Sequence, residues 1–187
     1  MENETLEHIE HAEHAEHAAH SGNSFNTIVS ATIAVLAVVA AGVGSLETLE
    51  TAGAISAKNS AVLLQAKASD QWAFFQAKSM KKNMYELAAV ATPSKKEEYE
   101  EKAKRYAEES QDISKEAKRL EHESEEAFHE GDHHEHRHHI LTFGVTLLHV
   151  SIAIATISII SKGARWPWFA ALALAGTGLV ISAGAYL

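Results

Sequence analysis

The sequence predicts an all-α protein: three transmembrane helices, with a long antiparallel coiled-coil hairpin inserted between the first and the second. Three observations lead there. Apolar stretches run from about Thr27 to Leu46, from Ile140 to Ser161 and from Pro167 to Leu187, and none contains Asp, Glu, Lys or Arg. Each has about 20 residues, the length that crosses ~30 Å of hydrocarbon as a helix. The segment between the first two is very polar and holds fourteen of the sixteen Lys and Arg residues. A chain of 187 residues is too short for three spans plus a conventional globular domain, and helices satisfy the backbone with the fewest residues.

In order, residues 1–24 form an acidic, His-rich helix and 25–46 the first span. Residues 47–131 form the extramembrane hairpin and 132–139 a His-rich, membrane-proximal segment. Residues 140–161 are the second span, 162–166 a short basic loop and 167–187 the third span. The leader repeats every three residues, placing His8, His11, His14, His17 and His20 among Glu and Ala. Three residues advance a helix by about 300°, so neighbouring histidines touch but all five do not share a face. No basic n-region precedes the first apolar stretch, so it is expected to be a retained anchor rather than a cleaved signal.

No strong stop follows Leu46, and Ser45 to Val90 reads as one helix continuing out of the membrane. Its seam is expected along Val62, Ala66, Ser69, Ala73, Gln76, Met80, Asn83, Leu87 and Val90, which alternate steps of four and three. Thr92-Pro93-Ser94 is the break, with Pro93 at a first helical position or Ser94 boxing with Glu97. The return arm has a cleaner heptad through Tyr99, Ala103, Tyr106, Ser110, Ile113, Ala117, Leu120, Ser124 and Ala127. Gly131-Asp132 is expected to end that arm, with Asp132 capping a new helix into the second span. A turn centred on Thr92-Pro93 brings His139 near Leu46, His136 near Leu49 and His133 near Ala52. The histidines then ring the base of the hairpin, close to Glu47 and Glu50.

The run Ser69-Asp70-Gln71-Trp72-Ala73-Phe74-Phe75-Gln76-Ala77-Lys78-Ser79-Met80-Lys81-Lys82-Asn83-Met84-Tyr85-Glu86-Leu87 resembles the hallmark of a bacterial membrane family catalogued as domain of unknown function 4337. The resemblance extends over nearly the whole chain. It implies the same anchor, hairpin, spans and Trp-containing loop, and carries no activity.

Two constellations bear chemistry. The histidines of the leader, and His129, His133, His134, His136, His138 and His139 with Glu47 and Glu50, are candidate ligands for a divalent transition metal such as Zn, Ni, Cu or Co. Pairs at helical spacing are His129–His133, His134–His138 and His136–His139. The same residues fit a pH response, because histidine titrates near 6.5, and equally a polar helix that tolerates histidine. His149 lies inside the second span, where an ionisable residue is a functional hypothesis by default and a hydrogen bond to a neighbouring Ser or Thr is the plainer reading. The second constellation is the motif Asp70, Gln71, Trp72, Phe74, Phe75 and Lys78. A two-helix hairpin is not expected to bury all its aromatics, which points to contact with another subunit or a protein partner. Small residues in the spans, Ala37, Ala40, Ala41 and Gly44 in the first and Gly176, Ser182 and Gly184 in the last, let helices pack closely in lipid and favour a homo-oligomer.

Composition narrows the function. The absence of cysteine removes disulfides and thiolate metal sites, and a net charge of −9 argues against nucleic acid. No G-x-S-x-G, P-loop or H-E-x-x-H motif occurs, so no enzyme is expected. Lys162 and Arg165 in a very short loop favour the cytoplasm, whereas the absence of Lys and Arg from the N-terminal tail favours the opposite side. The resemblance, to a family with a more basic short loop, implies a cytoplasmic N-terminus and a hairpin in the periplasm of a bacterial inner membrane. Trp166 and Trp168 are expected at the membrane interface. The reading is a homo-oligomeric membrane scaffold or adaptor with a hairpin stalk, in contact with lipid and itself. The alternative is a metal-binding sensor, buffer or ion pathway built on the histidines.

Overall fold

The computed structural model describes residues 24–161 and 164–187. The described residues form three α-helices and one short 3-10 turn, with no strand: α1 (Ser24–Ala91), the turn Pro93–Lys95, α2 (Lys96–Ile160) and α3 (Trp166–Gly184). Helix α1 is unbroken for 68 residues, as expected from a segment without proline. Its Ser and Thr side chains bond back one turn, Ser45 Oγ to Ala41 O and Thr48 Oγ1 to Gly44 O, rather than competing with the helix from outside. The stop is Thr92, driven out of helical geometry to φ −131° and ψ 80° by the proline that follows. Pro93 takes the first position of the turn, and the Thr92 side chain makes no capping bond.

α1, α2 and α3 each contain a segment long and apolar enough to cross a membrane. The chain divides into two compact units: the described residues up to Gly53 together with His133–Leu187, and Ala54–Asp132.

In the first unit the core is built from Val29, Ile33 and Leu36 on α1, Leu141, Leu148 and Ile152 on α2, and Ala171 and Ala175 on α3. Helices α2 and α3 approach backbone to backbone at Gly144 and Gly178. A Cβ at Gly144 would lie 1.9 Å from Ser182 Oγ and 2.9 Å from the Gly178 carbonyl oxygen. Of the small residues expected to pack, Ala37, Ala40 and Ser182 are buried, whereas Ala41, Gly176 and Gly184 face outward. Hydropathy does not distinguish the two sides of a helix that is apolar all round. Trp166 is exposed, but Trp168 turns inward, donating from Nε1 to Thr32 Oγ1 at 3.2 Å and meeting Phe25 edge to face.

In the second unit the two long helices pack through a seam of small residues. On α2 every position of the expected heptad is buried or half-buried, with Ala103, Ser110, Ala117, Leu120 and Ser124 buried. On α1 the expected seam is on the wrong side of the helix, two residues out of phase with the one that packs. The stripe that packs runs through Ala57, Ala61, Leu64, Ala68, Gln71, Phe75, Lys78, Tyr85 and Ala89, while Val62, Met80, Leu87 and Val90 are exposed. Alanine wins because it lets two backbones approach, which larger apolar side chains prevent. Partners run in opposite order along the two helices. Ser124 Oγ donates to Ala61 O at 2.8 Å, the pairing that a reversal at Thr92-Pro93 predicts, and Tyr85 meets Tyr99 and Tyr106.

The expected end at Gly131-Asp132 is also corrected, since α2 runs through both residues. Gly131 is there for closeness: a Cβ would lie 2.7 Å from Lys58 Cγ and 3.5 Å from Ala54 O. Asp132 pairs with Lys58 at 3.3 Å instead of capping.

Candidate functional site: a buried carboxylate among histidines

Within the first unit, Glu50 of α1 is a carboxylate only 7% exposed. Burial of an ionised carboxylate is costly unless its oxygens are satisfied. Here both are. An ionised carboxylate only accepts, so His134 Nδ1 donates to Oε2 at 2.6 Å, while Tyr186 OH donates to Oε1 at 2.9 Å. Arg137 Nη1 stands 4.0 Å away, and its guanidinium lies over the Tyr186 ring at 5.4 Å. Burial pushes the Glu50 carboxyl up. The hydrogen bonds from His134 and Tyr186 and the charges of His134 and Arg137 outweigh it, leaving the group below its ordinary 4.5. Gly53, one turn on, makes the space, because a Cβ there would lie 2.8 Å from His134 Nδ1.

A second group adjoins it. Glu47 Oε1 accepts from Thr142 Oγ1 at 2.6 Å and lies 3.7 Å from His138 Nδ1. Thr51 Oγ1 donates to Glu47 O, so at 3.0 Å it accepts from His138 Nδ1. Local sequence makes this possible. Glu47, Glu50, Thr51 and Gly53 lie within two turns of α1, and His134, Arg137, His138 and Thr142 lie on one face of α2 at helical spacing.

The structure thus joins Glu50 to His134 and Glu47 to His138. His129, His133, His136 and His139 are exposed, although the His138 and His139 rings are 5.4 Å apart. Among the described residues, no group of three or more His, Asp or Glu side chains is placed to hold a metal ion. The leader histidines, His8, His11, His14, His17 and His20, and Lys162 of the basic loop lie outside the described residues. His149 is half-buried on α2, its Nε2 shielded from solvent. Sequence reasoning found Glu47, Glu50, His134 and His138 and missed Arg137, Thr142 and Tyr186. The available signal was Tyr186 itself, a phenol hydroxyl donor at the end of an otherwise apolar segment.

The aromatic motif, in the second unit, divides between two faces. Trp72 is half-buried, donates from Nε1 to Glu121 Oε1 at 2.8 Å and meets Phe75 edge to face at 5.4 Å. Lys78 donates to Glu109 at 2.6 Å and lies 5.1 Å from the Phe74 ring. That hydrogen bond holds the Glu109 carboxyl below its usual range. Gln71 is half-buried. Asp70 is exposed, and Phe74 is 50% exposed. Trp72 and Phe75 therefore serve the packing of α1 on α2, contrary to the expectation that the seam ran elsewhere.

A family model described as a domain of unknown function, number 4337, matches residues 25–187, the chain without its His-rich leader. No curated protein and no solved structure matches the chain.

Proposed function

We propose a function for the chain as a member of the domain of unknown function 4337 family: a homo-oligomeric scaffold or adaptor of a bacterial inner membrane. In this reading three spans anchor an antiparallel coiled-coil hairpin, inserted between the first and second, and the hairpin works as a stalk. The observation that carries it is the exposed apolar side chains of α1 between Ala54 and Ala91. Val62, Met80, Leu87 and Val90 are all more than half exposed on an otherwise polar segment, and such surface marks association. The short loop with Lys162 and Arg165 supports a cytoplasmic N-terminus and a periplasmic stalk. No reaction is assigned, because the functional groups found are engaged in holding helices together. Mass photometry of the purified protein in detergent and in nanodiscs tests the reading. A single stoichiometry above one supports it, and a monomer under both conditions rejects it.

A metal-handling role is the second reading. It is favoured by the juxtaposition of Glu50 with His134 and of Glu47 with His138. Zinc titration of the full chain followed by calorimetry separates the two. Tight, stoichiometric binding lost in His134→Ala and His138→Ala would favour metal handling. Weak binding that follows only the leader histidines would not.

A further inference from the structure

Helix α1 carries two heptad stripes between Ile55 and Val90. The stripe through Ala61, Ala68, Phe75 and Ala89 packs on α2. The other lies roughly 150° away round a helix of 3.5 residues per turn, and every member is exposed. Its apolar members are Ile55, Val62, Met80, Leu87 and Val90, with Val62 at 68% and Val90 at 82% exposure. Between them stand Ala66 and Ala73, and the uncharged polar residues Asn59, Ser69, Gln76 and Asn83. No ionisable side chain interrupts it over about five heptads. Helix α2 provides the contrast. Its outward stripe runs through Glu101, Lys104, Glu108, Lys115 and Lys118, all exposed.

We propose that the outward stripe of α1 is a second seam, filled by the same stripe of a second copy of this chain in parallel. The inference rests on the homo-oligomeric scaffold reading and names its interface. The periodicity requires a helix as occupant, because only a helix keeps step with a heptad for that distance. Charge then selects the helix. The outward face of α2 would carry Glu101, Lys104 and Glu108 into an uncharged seam, which is costly for unpaired ions. The α1 stripe is free of charge and complementary to itself, as a two-fold contact demands. Its flanks fit a parallel pair. Lys58 falls opposite Leu63 of the copy, Gln65 opposite Asp70 and Glu86 opposite Ala91, so no like charges meet. Asn59, Gln76 and Asn83 face their own counterparts, where amide pairs fix register and strand number. Parallel direction follows when both copies are anchored in one membrane.

The experiment uses the full chain in nanodiscs. It contains no cysteine, so single cysteines report proximity directly. Ala66→Cys, Ala73→Cys and Met80→Cys should each give disulfide-linked dimers, and Gln111→Cys on the outward face of α2 should not. In the otherwise native chain, Ala73→Glu with Met80→Glu should weaken association by about 100-fold or more, because like charges then face each other across the seam. Circular dichroism should show unchanged helix content, since both positions are exposed within one chain. An oligomer that tolerates both glutamates, or that links as readily through Gln111→Cys as through Ala73→Cys, overturns the seam and leaves the scaffold reading standing. A wild-type chain that stays monomeric overturns both, and leaves the stripe to lipid or to a different helix. Should the glutamates reduce helix content, the three conservative cysteine variants decide alone.

Discussion

The two units hold α1 to α2 by different means. Between Ala54 and Asp132 the seam is alanine and serine, with Ala61, Ala68, Ala117 and Ser124 nearly inaccessible. Each such residue contributes little burial, so the pair draws on side chains that arch over the seam, Trp72 to Glu121 and Lys78 to Glu109. In the other unit Ile33, Leu141, Leu148 and Ile152 supply bulk, and a polar cluster around Glu50 adds direction. The side-chain contacts that arch over the first seam are only partly buried and individually weak. In the second, one carboxylate is buried and all its partners are specific. Exposed networks tolerate loss, whereas a buried one fails as a unit.

The largest effect expected from that difference is at Glu50. Glu50→Ala leaves His134, Arg137 and the Tyr186 hydroxyl without their acceptor and should cost about 3 kcal/mol. Glu109→Ala removes a partner of Lys78 at the helix surface and should cost far less than Glu50→Ala. Thermal unfolding of both variants in detergent checks the ranking, and equal losses would erase the distinction between the units. The same cluster sets a pH dependence. Glu50 lies outside the apolar segments, and its folded carboxyl is below its ordinary 4.5. The proton is therefore bound more tightly in the unfolded chain, and Glu50 stabilises fully above that value. The contribution drains away as pH falls through the folded value. Wild type should lose stability below pH 4.5 more steeply than Glu50→Ala, and parallel curves would show that Glu50 is not the group responsible.

Next come the aromatics of the second unit. Trp72→Ala with Phe75→Ala should destabilise by about 2 kcal/mol, because two half-buried rings are lost. The structure changes what this variant reports. Trp72 bonds to Glu121 of α2 and Phe75 packs edge to face on Trp72, so helix content and thermal stability should fall even in a monomer. Loss of association with full retention of stability would return these rings to an intersubunit role.

Much of this was legible in the sequence. The three apolar helices, the break at Thr92-Pro93 and the α2 heptad follow from hydropathy, proline chemistry and period. The α1 seam did not, because α1 has two heptad phases and the more apolar one is exposed. Val62, Met80, Leu87 and Val90 outrank Ala57, Ala61 and Ala68 on any hydrophobicity scale, yet close packing selects the alanines. Gly131 misled for a related reason. A glycine beside an aspartate reads as a helix end, and only the neighbouring Lys58 shows that it serves contact. The candidate site was half visible. The Glu47–His138 and Glu50–His134 pairs follow from register, but Tyr186 comes from far along the chain, and no local spacing announces it.

One substitution made in both units sharpens the comparison and ends on the smallest effect. Gly144→Ala brings a methyl against Ser182 Cβ at 3.2 Å and the Gly178 carbonyl at 2.9 Å. Rotating the Ser182 hydroxyl away sacrifices its bond to Gly178 O and still leaves backbone in the way. α2 and α3 must separate, at about 2 kcal/mol. Gly131→Ala also meets a neighbour too closely, but that neighbour is Lys58 Cγ at 2.7 Å, and the backbone of Ala54 is already at an ordinary 3.5 Å. The lysine can swing, giving up its exposed pair with Asp132 and its position over Phe128, which costs up to about 1 kcal/mol. Alanine recovers about 1 kcal/mol over glycine inside a helix. The two terms nearly cancel, so Gly131→Ala should shift stability by less than about 0.5 kcal/mol in either direction. Denaturation midpoints of the two variants, measured side by side, check this. A large loss at Gly131 would mean that the small-residue seam is as rigid as the apolar core, and that the contrast between the units lies in chemistry alone.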